Sequence, residues 1–343
     1  MEAMLYEKAQ DAKVICHLCN HQCTIHSGRR GICGVRENEG GVLKTLIYGK
    51  LVAGNADPVE KKPLFHFMPG SRTYSIAAVG CNFKCRFCQN SDIAQMPSDR
   101  DGLIMGNPTS PREVVNAAIQ RKCRSISFTY TEPTLLFEFA LHTSEIARNE
   151  GLKTIFVTNG YMTKKAIETL SPFLDAANVD LKGSSDDFYR KYCSARIEPV
   201  KETLRSMKAL GIFIEITTLV IPGLNDTAAD FESISRFIAE DLGRETPWHV
   251  SRFHPAYQLT DHRATDPRSL SLARDIGIRN GLCHVYTGNI PGDEGEHTYC
   301  HQCGKKIIDR FGYTMREFHI TNGACAFCKA EIHGVDMRHE THR

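Results

Sequence analysis

The sequence predicts an α/β protein built as a partial or complete parallel β/α barrel. Short apolar, β-branched runs recur over roughly 210 residues, helical patterns separate them, and polar motifs follow several of the runs. Strand alternating with helix favours parallel pairing, because each crossover helix returns the chain to the same edge of the sheet. A doubly wound open sheet would show the same alternation and is the second architecture considered.

Six of the apolar runs are predicted strands, and a seventh is compatible with one. They span residues 74–79, 125–129, 154–158, 177–181, 212–221 and 249–253, with the seventh at 283–287. Helices are expected over residues 111–122, 134–151, 163–170, 200–211 and 230–242. Ser110 is a candidate N-cap for the first helix, and Gly151 is expected to end the second.

Cysteine-rich segments flank this barrel. Residues 1–70 contain many glycines, histidines and cysteines, and the segment from 293 carries two Cys-x-x-Cys pairs around a short β-like stretch. We therefore expect a cysteine-rich N-terminal module over residues 1–70, the barrel over 71–292 and a zinc-ribbon-like C-terminal module over 293–343.

Composition excludes several classes of protein. The 343 residues are 41% hydrophobic with a formal net charge of +2, and no basic run argues for nucleic acid. The first residues lack the apolar core of a signal peptide, and no stretch is apolar enough to span a bilayer. We expect a cytoplasmic protein that binds neither nucleic acid nor membranes.

Eleven of the 14 cysteines fall into three groups, which indicates metal binding. The groups are Cys16, Cys19, Cys23 and Cys33; Cys81, Cys85 and Cys88; and Cys300, Cys303, Cys325 and Cys328. A secreted disulfide scaffold would normally be shorter and carry a signal peptide.

The central group, Cys81, Cys85 and Cys88, has the spacing Cys-x3-Cys-x2-Cys directly after the first predicted strand. Three thiolates this close can bind three irons of an iron–sulfur cube and leave the fourth iron without a protein ligand. An open position on a metal is where a cofactor or substrate binds. The alternatives are a zinc site and a ferredoxin-like cluster with a distant fourth ligand.

The two outer cysteine groups also indicate bound metal, but they say less about function than the central group. The two C-terminal pairs are typical of a closed tetrahedral site, for which zinc is favoured over iron. The N-terminal group is less regular and could hold zinc or a second iron–sulfur cluster, with His17, His21 and His26 as substitute ligands. Buried thiols without metal are the third interpretation of that group.

With these motifs in view, the chain resembles the radical S-adenosylmethionine (SAM) superfamily. It is similar to pyruvate formate-lyase activating enzymes and most similar to the radical SAM enzyme of the AmmeMemoRadiSam system, over nearly its whole length. The N-terminal, central and C-terminal cysteines carry the likeness, together with residues 130–134, 158–160, 180–183, 252–255 and 288–292. The resemblance implies an anaerobic oxidoreductase in which a [4Fe–4S] cluster cleaves SAM to a 5′-deoxyadenosyl radical.

The resemblance also assigns SAM-binding residues to the cysteine loop and the ends of the predicted strands. They are Phe87, Thr131, Glu132, Asn159, Asp180, Lys182 and His254. Each has a structural alternative: Glu132 could cap the next helix, Asn159 could belong to an ordinary turn, and Asp180 and Lys182 could form a structural ion pair. Tyr130 and Thr131 stand where the superfamily usually has two glycines.

The substrate stays open at this stage. One possibility is a glycine of a glycyl-radical enzyme, and the other is a small molecule or peptide modified together with partner proteins of the same system. Flavodoxin or ferredoxin is the electron donor that the resemblance implies. A non-catalytic iron–sulfur or metal-binding protein is the alternative from another class.

Overall fold

Short antiparallel strands form the first fifty residues of the chain. A computed structural model describes residues 1–338. The first six strands are β1 (Tyr6–Lys8), β2 (Val14–Cys16), β3 (Thr24–Ile25), β4 (Arg36–Glu39), β5 (Val42–Thr45) and β6 (Lys50–Leu51). The β4–β5 hairpin turns at Gly40 and Gly41, which have φ values of +61° and +89°. Two successive positive φ angles favour glycine, because other side chains clash there.

The central sheet has eight strands, seven of them parallel. It comprises β7 (Ala53–Pro58), β8 (Arg72–Ala77), β10 (Ser125–Phe128), β11 (Lys153–Thr158), β12 (Ala176–Asp180), β13 (Phe213–Val220), β14 (Trp248–Arg252) and β15 (Val285–Gly288), while β9 (Asn107–Pro108) pairs with β6. The parallel strands lie in chain order, and β7 pairs antiparallel with β8 at one edge. A doubly wound sheet reverses its strand order, so that alternative is wrong and the partial barrel is confirmed.

The helices follow the strands. They are α1 (Ser91–Ala94), α2 (Met96–Asp99), α3 (Pro111–Gln120), α4 (Phe137–Asn149), α5 (Lys164–Leu170), α6 (Asp186–Phe188), α7 (Ile197–Ala209), α8 (Ala228–Phe237) and α9 (Pro267–Arg279). Ser110 caps α3 in a reciprocal capping box with Glu113, as its sequence predicts. The other predicted helices are found with shifted ends: a 3₁₀ turn, Pro133–Leu136, precedes α4, and a π-helical turn, Ile238–Leu242, continues α8.

Helix α9 is absent from the sequence-based prediction. Its start carries two recognisable signals, since Asp266 accepts a hydrogen bond from the N–H of Arg268 and Pro267 occupies the first helical position. Its apolar residues recur with a helical period as regular as that of α8, so this signal was present in the sequence as well.

Polar side chains cross-link the inner surface of the sheet at alternate strand positions. The pairs are Thr73 with Ser127 at 2.6 Å, Asn178 with Thr217 at 2.9 Å and Glu215 with His249 at 2.6 Å. Side chains of a strand alternate between faces, so the remaining strand positions pack apolar residues against the helices. The barrel therefore has an apolar outer layer and a polar interior.

The C-terminal segment forms small antiparallel sheets. Its strands are β16 (Thr298–Tyr299), β17 (Lys306–Phe311), β18 (Thr314–Phe318), β19 (Ile320–Thr321) and β20 (Ala324–Cys325). A separate small core of Ile307, Ile308, Ile320 and Ile332 lies beside Cys300 and Cys325. In the described part of the chain, no helix combines the length and the apolar character needed to cross a bilayer.

Candidate active site

A π-helical turn, Tyr189–Cys193, holds the main chain of the cysteine loop that follows β8. The N–H of Lys84 donates to the carbonyl of Cys193, and the N–H of Arg86 donates to the carbonyl of Tyr192, both at 2.9 Å. Both bonds lie between the first and third cysteines of the loop. The loop is therefore positioned by the protein itself, which is how a metal-binding segment is preorganised.

Of the three cysteines of this loop, Cys85 is buried and Cys81 and Cys88 are half-buried. Burial raises the pKa of Cys81 well above its usual range, with the charge of Glu132 adding to the effect. Burial also raises the pKa of Cys88 to about 11. Thiols in this state are protonated at neutral pH, so a metal that binds them displaces their protons.

Glu132 accepts four hydrogen bonds at the ends of two neighbouring strands. Its Oε1 accepts from the N–H and hydroxyl of Thr134 and from the hydroxyl of Thr158, and its Oε2 accepts from the N–H of Asn159 at 2.9 Å. The side chain is 3% exposed, and burial raises its pKa despite these bonds. Glu132 thus caps the following 3₁₀ turn and also ties that turn to the end of β11.

Tyr130 adopts a backbone conformation that favours glycine. Its φ is +66°, in the left-handed region where a side chain costs about 1 kcal/mol or more. The Tyr130 hydroxyl donates to Asp57 at 2.6 Å, and Asn90 donates to its carbonyl at 2.9 Å. This position is one of the two where glycine was expected, so the backbone shape is retained without the glycine.

Asp180 and Lys182 form an ion pair beside the cysteine loop. Nζ of Lys182 lies 2.6 Å from Oδ2 of Asp180, and their side chains are 15% and 35% exposed respectively. Burial alone would lower the pKa of Lys182, but the charges of Asp180, Cys85 and Cys193 raise it well above its usual range. The expected alternation holds, because Leu181 between them is fully buried.

Asn159 reaches the first cysteine of the loop. Its Nδ2 lies 3.8 Å from Sγ of Cys81 and donates to Oδ1 of Asn82 at 2.8 Å. Its Oδ1 accepts from the N–H of Tyr161 at 3.1 Å. Asn159 therefore links the loop after β11 to the cysteine loop, which an ordinary turn residue would not do.

The remaining predicted residues are less closely tied to the thiols. Phe87 is buried and packs on Phe188, with ring centroids 6.0 Å apart. The hydroxyl of Thr131 donates to the carbonyl of Ala78 at 2.7 Å. His254 is exposed in the segment after β14. The structure thus gathers Glu132, Asn159, Asp180 and Lys182 around the three cysteines, while His254 faces solvent.

Cys193 is a residue of this site that sequence reasoning missed. Its thiol hydrogen-bonds to Cys85, and this contact, together with burial, raises the pKa of Cys85 well above its usual range. Cys193 is fully buried at the end of the π-helical turn. No spacing rule could connect it to a motif more than a hundred residues earlier in the chain.

The four C-terminal cysteines lie at the spacing of a single metal ion. Their sulfur atoms all fall within 4.8 Å of one another, with Cys300 to Cys328 at 3.5 Å and Cys303 to Cys325 at 3.8 Å. Four sulfurs about 2.3 Å from one zinc ion at tetrahedral angles lie about 3.8 Å apart. Backbone N–H groups of residues 327 and 328 oppose the effect of burial and lower the pKa of Cys325 to about 7.

The four N-terminal cysteines line one small pocket against the barrel. Cys16, Cys19, Cys23 and Cys33 share it with Asn82 of the cysteine loop. Burial raises the pKa of Cys19 and of Cys33, and nearby thiols add to the effect. The pocket is attached on both sides, since His21 bonds the carbonyl of Asn82 at 2.8 Å and the N–H of Asn20 donates to the carbonyl of Tyr161 at 2.9 Å.

A cavity much larger than the N-terminal pocket lies elsewhere. A space of about 1050 Å³ lies between α9, β15 and the C-terminal module, lined by Arg244, Arg274, His284 and His301 among others. None of the three loop cysteines borders it. Cavity size alone therefore does not mark the site that the cysteine loop forms.

Comparison with known proteins identifies the family. The model of the radical SAM superfamily matches residues 75–238, which include the cysteine loop. The chain is 46% identical to an uncharacterized protein of Methanocaldococcus jannaschii over 96% of this chain and 98% of that protein. The chain belongs to the radical SAM superfamily.

Two further comparisons describe proteins to which the chain is similar. The (2S)-3-sulfopropanediol dehydratase activating enzyme of Klebsiella oxytoca is 26% identical over 36% of this chain and 39% of that enzyme. A radical SAM methyltransferase of Sphaerobacter thermophilus has a similar fold, with a TM-score of 0.51, 17% identity and coverage of 69% of this chain and 71% of that chain. Membership of the superfamily implies that the protein is an enzyme that uses a [4Fe–4S] cluster and SAM.

Proposed function

We propose that Cys81, Cys85 and Cys88 hold a [4Fe–4S] cluster with one open iron, and that the enzyme generates a substrate radical on a glycine of a partner protein. When bound, the cluster and SAM supply reductive cleavage of the sulfonium and a 5′-deoxyadenosyl radical that removes a hydrogen atom. The single observation that carries the proposal is the preorganised three-thiol loop at the carboxyl ends of the parallel strands.

The donor set fits such a cluster better than a single ion. Three soft thiols in one loop suit iron–sulfur chemistry, and each binds a different iron. Among residues 1–338, only the C-terminal set brings three or more sulfur atoms within 4.8 Å of one another. The wider spacing of the loop thiols agrees with three separate irons and disfavours a closed zinc site.

The chain's own residues bind and orient the cofactor in this proposal. Asn159 and the Asp180–Lys182 pair offer donors and acceptors for the amino and carboxylate groups of SAM, because they lie beside Cys81 and Cys85. Phe87, Thr131 and His254 are assigned to the same pocket on the resemblance. Glu132 acts at least through Asn159, whose N–H it holds.

The likeness to a putative glycyl-radical enzyme activating enzyme of Methanocaldococcus jannaschii, 24% identical over 60% of this chain, supports a glycine of a glycyl-radical protein as the substrate. Flavodoxin or ferredoxin would supply the electron. Residues 53–58 belong to the central sheet as β7, so the segments that we assign to docking such partners are residues 1–51 and 293–343. In the second of these, the sulfur spacing supports zinc at Cys300, Cys303, Cys325 and Cys328.

The test compares two buried cysteines that touch each other. Cys85→Ala removes a proposed ligand, whereas Cys193→Ala removes a neighbour. Both proteins are reconstituted anaerobically with iron and sulfide, then incubated with SAM and dithionite. We expect 5′-deoxyadenosine to fall at least a hundredfold in Cys85→Ala and to stay within threefold of the wild type in Cys193→Ala.

A matched control and a contradicting outcome complete the test. Cys123→Ala removes a buried cysteine beside Arg121, away from the loop, and should cleave SAM like the wild type. Equal loss of cluster iron in Cys193→Ala and Cys85→Ala would identify Cys193 as a fourth ligand. That result would refute the open iron on which the proposal depends.

A further inference from the structure

The N-terminal four-cysteine pocket contains polar donors that have no acceptor. Nδ2 of Asn82 and Nε of Arg36 are both buried without a hydrogen-bond partner. Their residues are 0% and 1% exposed, and both line the pocket with Cys16, Cys19 and Cys33. A buried N–H without an acceptor costs about 1–3 kcal/mol, so these donors indicate an acceptor that belongs in the pocket.

The acceptor is expected to be sulfur-rich and anionic. The guanidinium of Arg36 also lies 3.8 Å from Sγ of Cys16 and pairs with buried Glu138, which fixes its orientation. Bridging sulfides of an iron–sulfur cluster accept hydrogen bonds, and such bonds help to set its potential. A zinc ion would offer no acceptor beyond the thiolates themselves.

The spacing of the thiols separates the two outer groups. Among residues 1–338, the C-terminal sulfurs meet within 4.8 Å as around one ion, and the N-terminal sulfurs do not. In this respect the N-terminal group resembles the central Cys81, Cys85 and Cys88. A cluster presents its ligands on different irons and requires the wider spacing.

One side chain lies between the N-terminal pocket and the central loop. Oδ1 of Asn82 accepts from Asn159 at 2.8 Å on the side of Cys81, and on the other side Asn82 lines the N-terminal pocket together with Cys19. The two sets of thiols are therefore neighbours across a single residue. Electron transfer slows steeply with distance, so this arrangement suits exchange between two metal centres.

We propose that Cys16, Cys19, Cys23 and Cys33 hold a second iron–sulfur cluster that passes one electron to the central cluster. The inference rests on the proposed function for the electron's destination. A low-potential one-electron donor reduces the second cluster, which is reoxidised as the central cluster gains the same electron. No bond forms or breaks in this step, and Asn82 is a positioning residue between the two centres.

The first experiment counts the clusters in the wild type and in two full-length variants. Mössbauer spectroscopy of the anaerobically reconstituted wild type should show two iron–sulfur components. Cys81→Ala/Cys85→Ala/Cys88→Ala should keep iron, sulfide and an EPR signal that SAM leaves unchanged. Cys19→Ser/Cys23→Ser should lose that signal and keep the one that SAM shifts.

The contradicting outcomes are distinct for the two proposals. A single Mössbauer component in the wild type, or zinc without sulfide in the triple variant, would overturn the second cluster. If the wild type shows the signal of the second cluster but no signal that SAM shifts, the proposed function is contradicted and the second cluster is not. The wild-type spectrum needs no variant to fold, so the inference stays testable in every case.

The second experiment measures the relay. Stopped-flow mixing with reduced flavodoxin should reduce the central cluster at least tenfold more slowly in Cys19→Ser/Cys23→Ser than in the wild type. Dithionite, a small donor, should still support 5′-deoxyadenosine formation in that variant. An unchanged rate with flavodoxin would overturn the relay.

Discussion

At the scale of single residues, Glu132 shows how one carboxylate can organise a site. It joins the 3₁₀ turn after β10 to the end of β11 and accepts a hydrogen bond from the backbone N–H of Asn159. The side-chain amide of Asn159 in turn contacts Cys81. Burial without these bonds would strongly disfavour the charged carboxylate. The residue is therefore a structural tie as well as a proposed SAM contact.

Glu132→Gln is predicted to lower the free energy of unfolding by about 1–3 kcal/mol, because the new NH₂ group would face a backbone N–H in a buried position. The measurement is urea unfolding of the metal-free protein, followed by circular dichroism. Glu145→Gln, on the exposed side of α4, is the matched control and should be neutral. A loss no larger than that of the control would show that the four bonds contribute little.

At this scale, position after a predicted strand singled out several candidate residues, whereas Asn82 and Cys193 were given no role. Glu132, Asn159 and Asp180 were located because parallel strands bring their carboxyl ends to one edge. Asn82 lies between Cys81 and Cys85 of the central motif but had no assigned role, because its two neighbours, Cys19 and Asn159, are distant in sequence. Long-range pairs of this kind need the fold to be known first.

At the scale of elements, the strands were predicted within a few residues of their observed ends, because β-branched runs are a strong signal. The π-helical turn Tyr189–Cys193 was not predicted, since it has no sequence period of its own. It nevertheless holds the cysteine loop. The element that matters most for the site was thus the one with the weakest local signal.

The two C-terminal pairs of cysteines lead to a prediction about zinc binding by the C-terminal segment. Cys303→Ser should release one zinc per chain, because Cys303 supplies one of four sulfurs and is exposed. Zinc is measured by inductively coupled plasma mass spectrometry, and 5′-deoxyadenosine formation should stay within threefold of the wild type. Iron in place of zinc, or full zinc occupancy in the variant, would contradict the assignment.

At the scale of the whole molecule, buried imidazoles make the stability of the fold depend on pH. His66 is fully buried between the carbonyl of His333 and the hydroxyl of Tyr286, and burial lowers its pKa to about 3. Burial lowers the pKa of His284 well below its usual range as well. Both groups therefore stay neutral in the folded chain under conditions that protonate them in the unfolded chain.

We predict that stability falls as the pH drops from about 6.5 toward 3. Below about pH 6.5 the unfolded chain binds protons at these imidazoles and the folded chain does not. The free energy of unfolding therefore falls by up to about 1.4 kcal/mol per histidine for each pH unit. His284→Phe should reduce the difference between urea midpoints at pH 7.5 and 5.0, while exposed His26→Gln should not. Equal pH dependence in both variants would rule out His284 as a contributor.

The seven parallel strands, β8 and β10 to β15, lie in chain order, which gives an open barrel with their carboxyl ends at one edge. That edge carries the cysteine loop and its polar neighbours. Alternation of strand and helix in the sequence predicted a parallel sheet, but only the observed strand order separates the barrel from a doubly wound sheet. The sequence could not predict that β7 extends the sheet, because Ala53–Pro58 has neither an apolar run nor an alternating pattern.

The most direct measurement is EPR of the anaerobically reconstituted, reduced protein with and without SAM. An open iron held by only three thiolates should give a [4Fe–4S]⁺ signal whose g values shift when SAM is added, and Cys81→Ala/Cys85→Ala/Cys88→Ala should lack that signal. A reduced cluster signal that stays identical in saturating SAM would contradict an open iron at Cys81, Cys85 and Cys88.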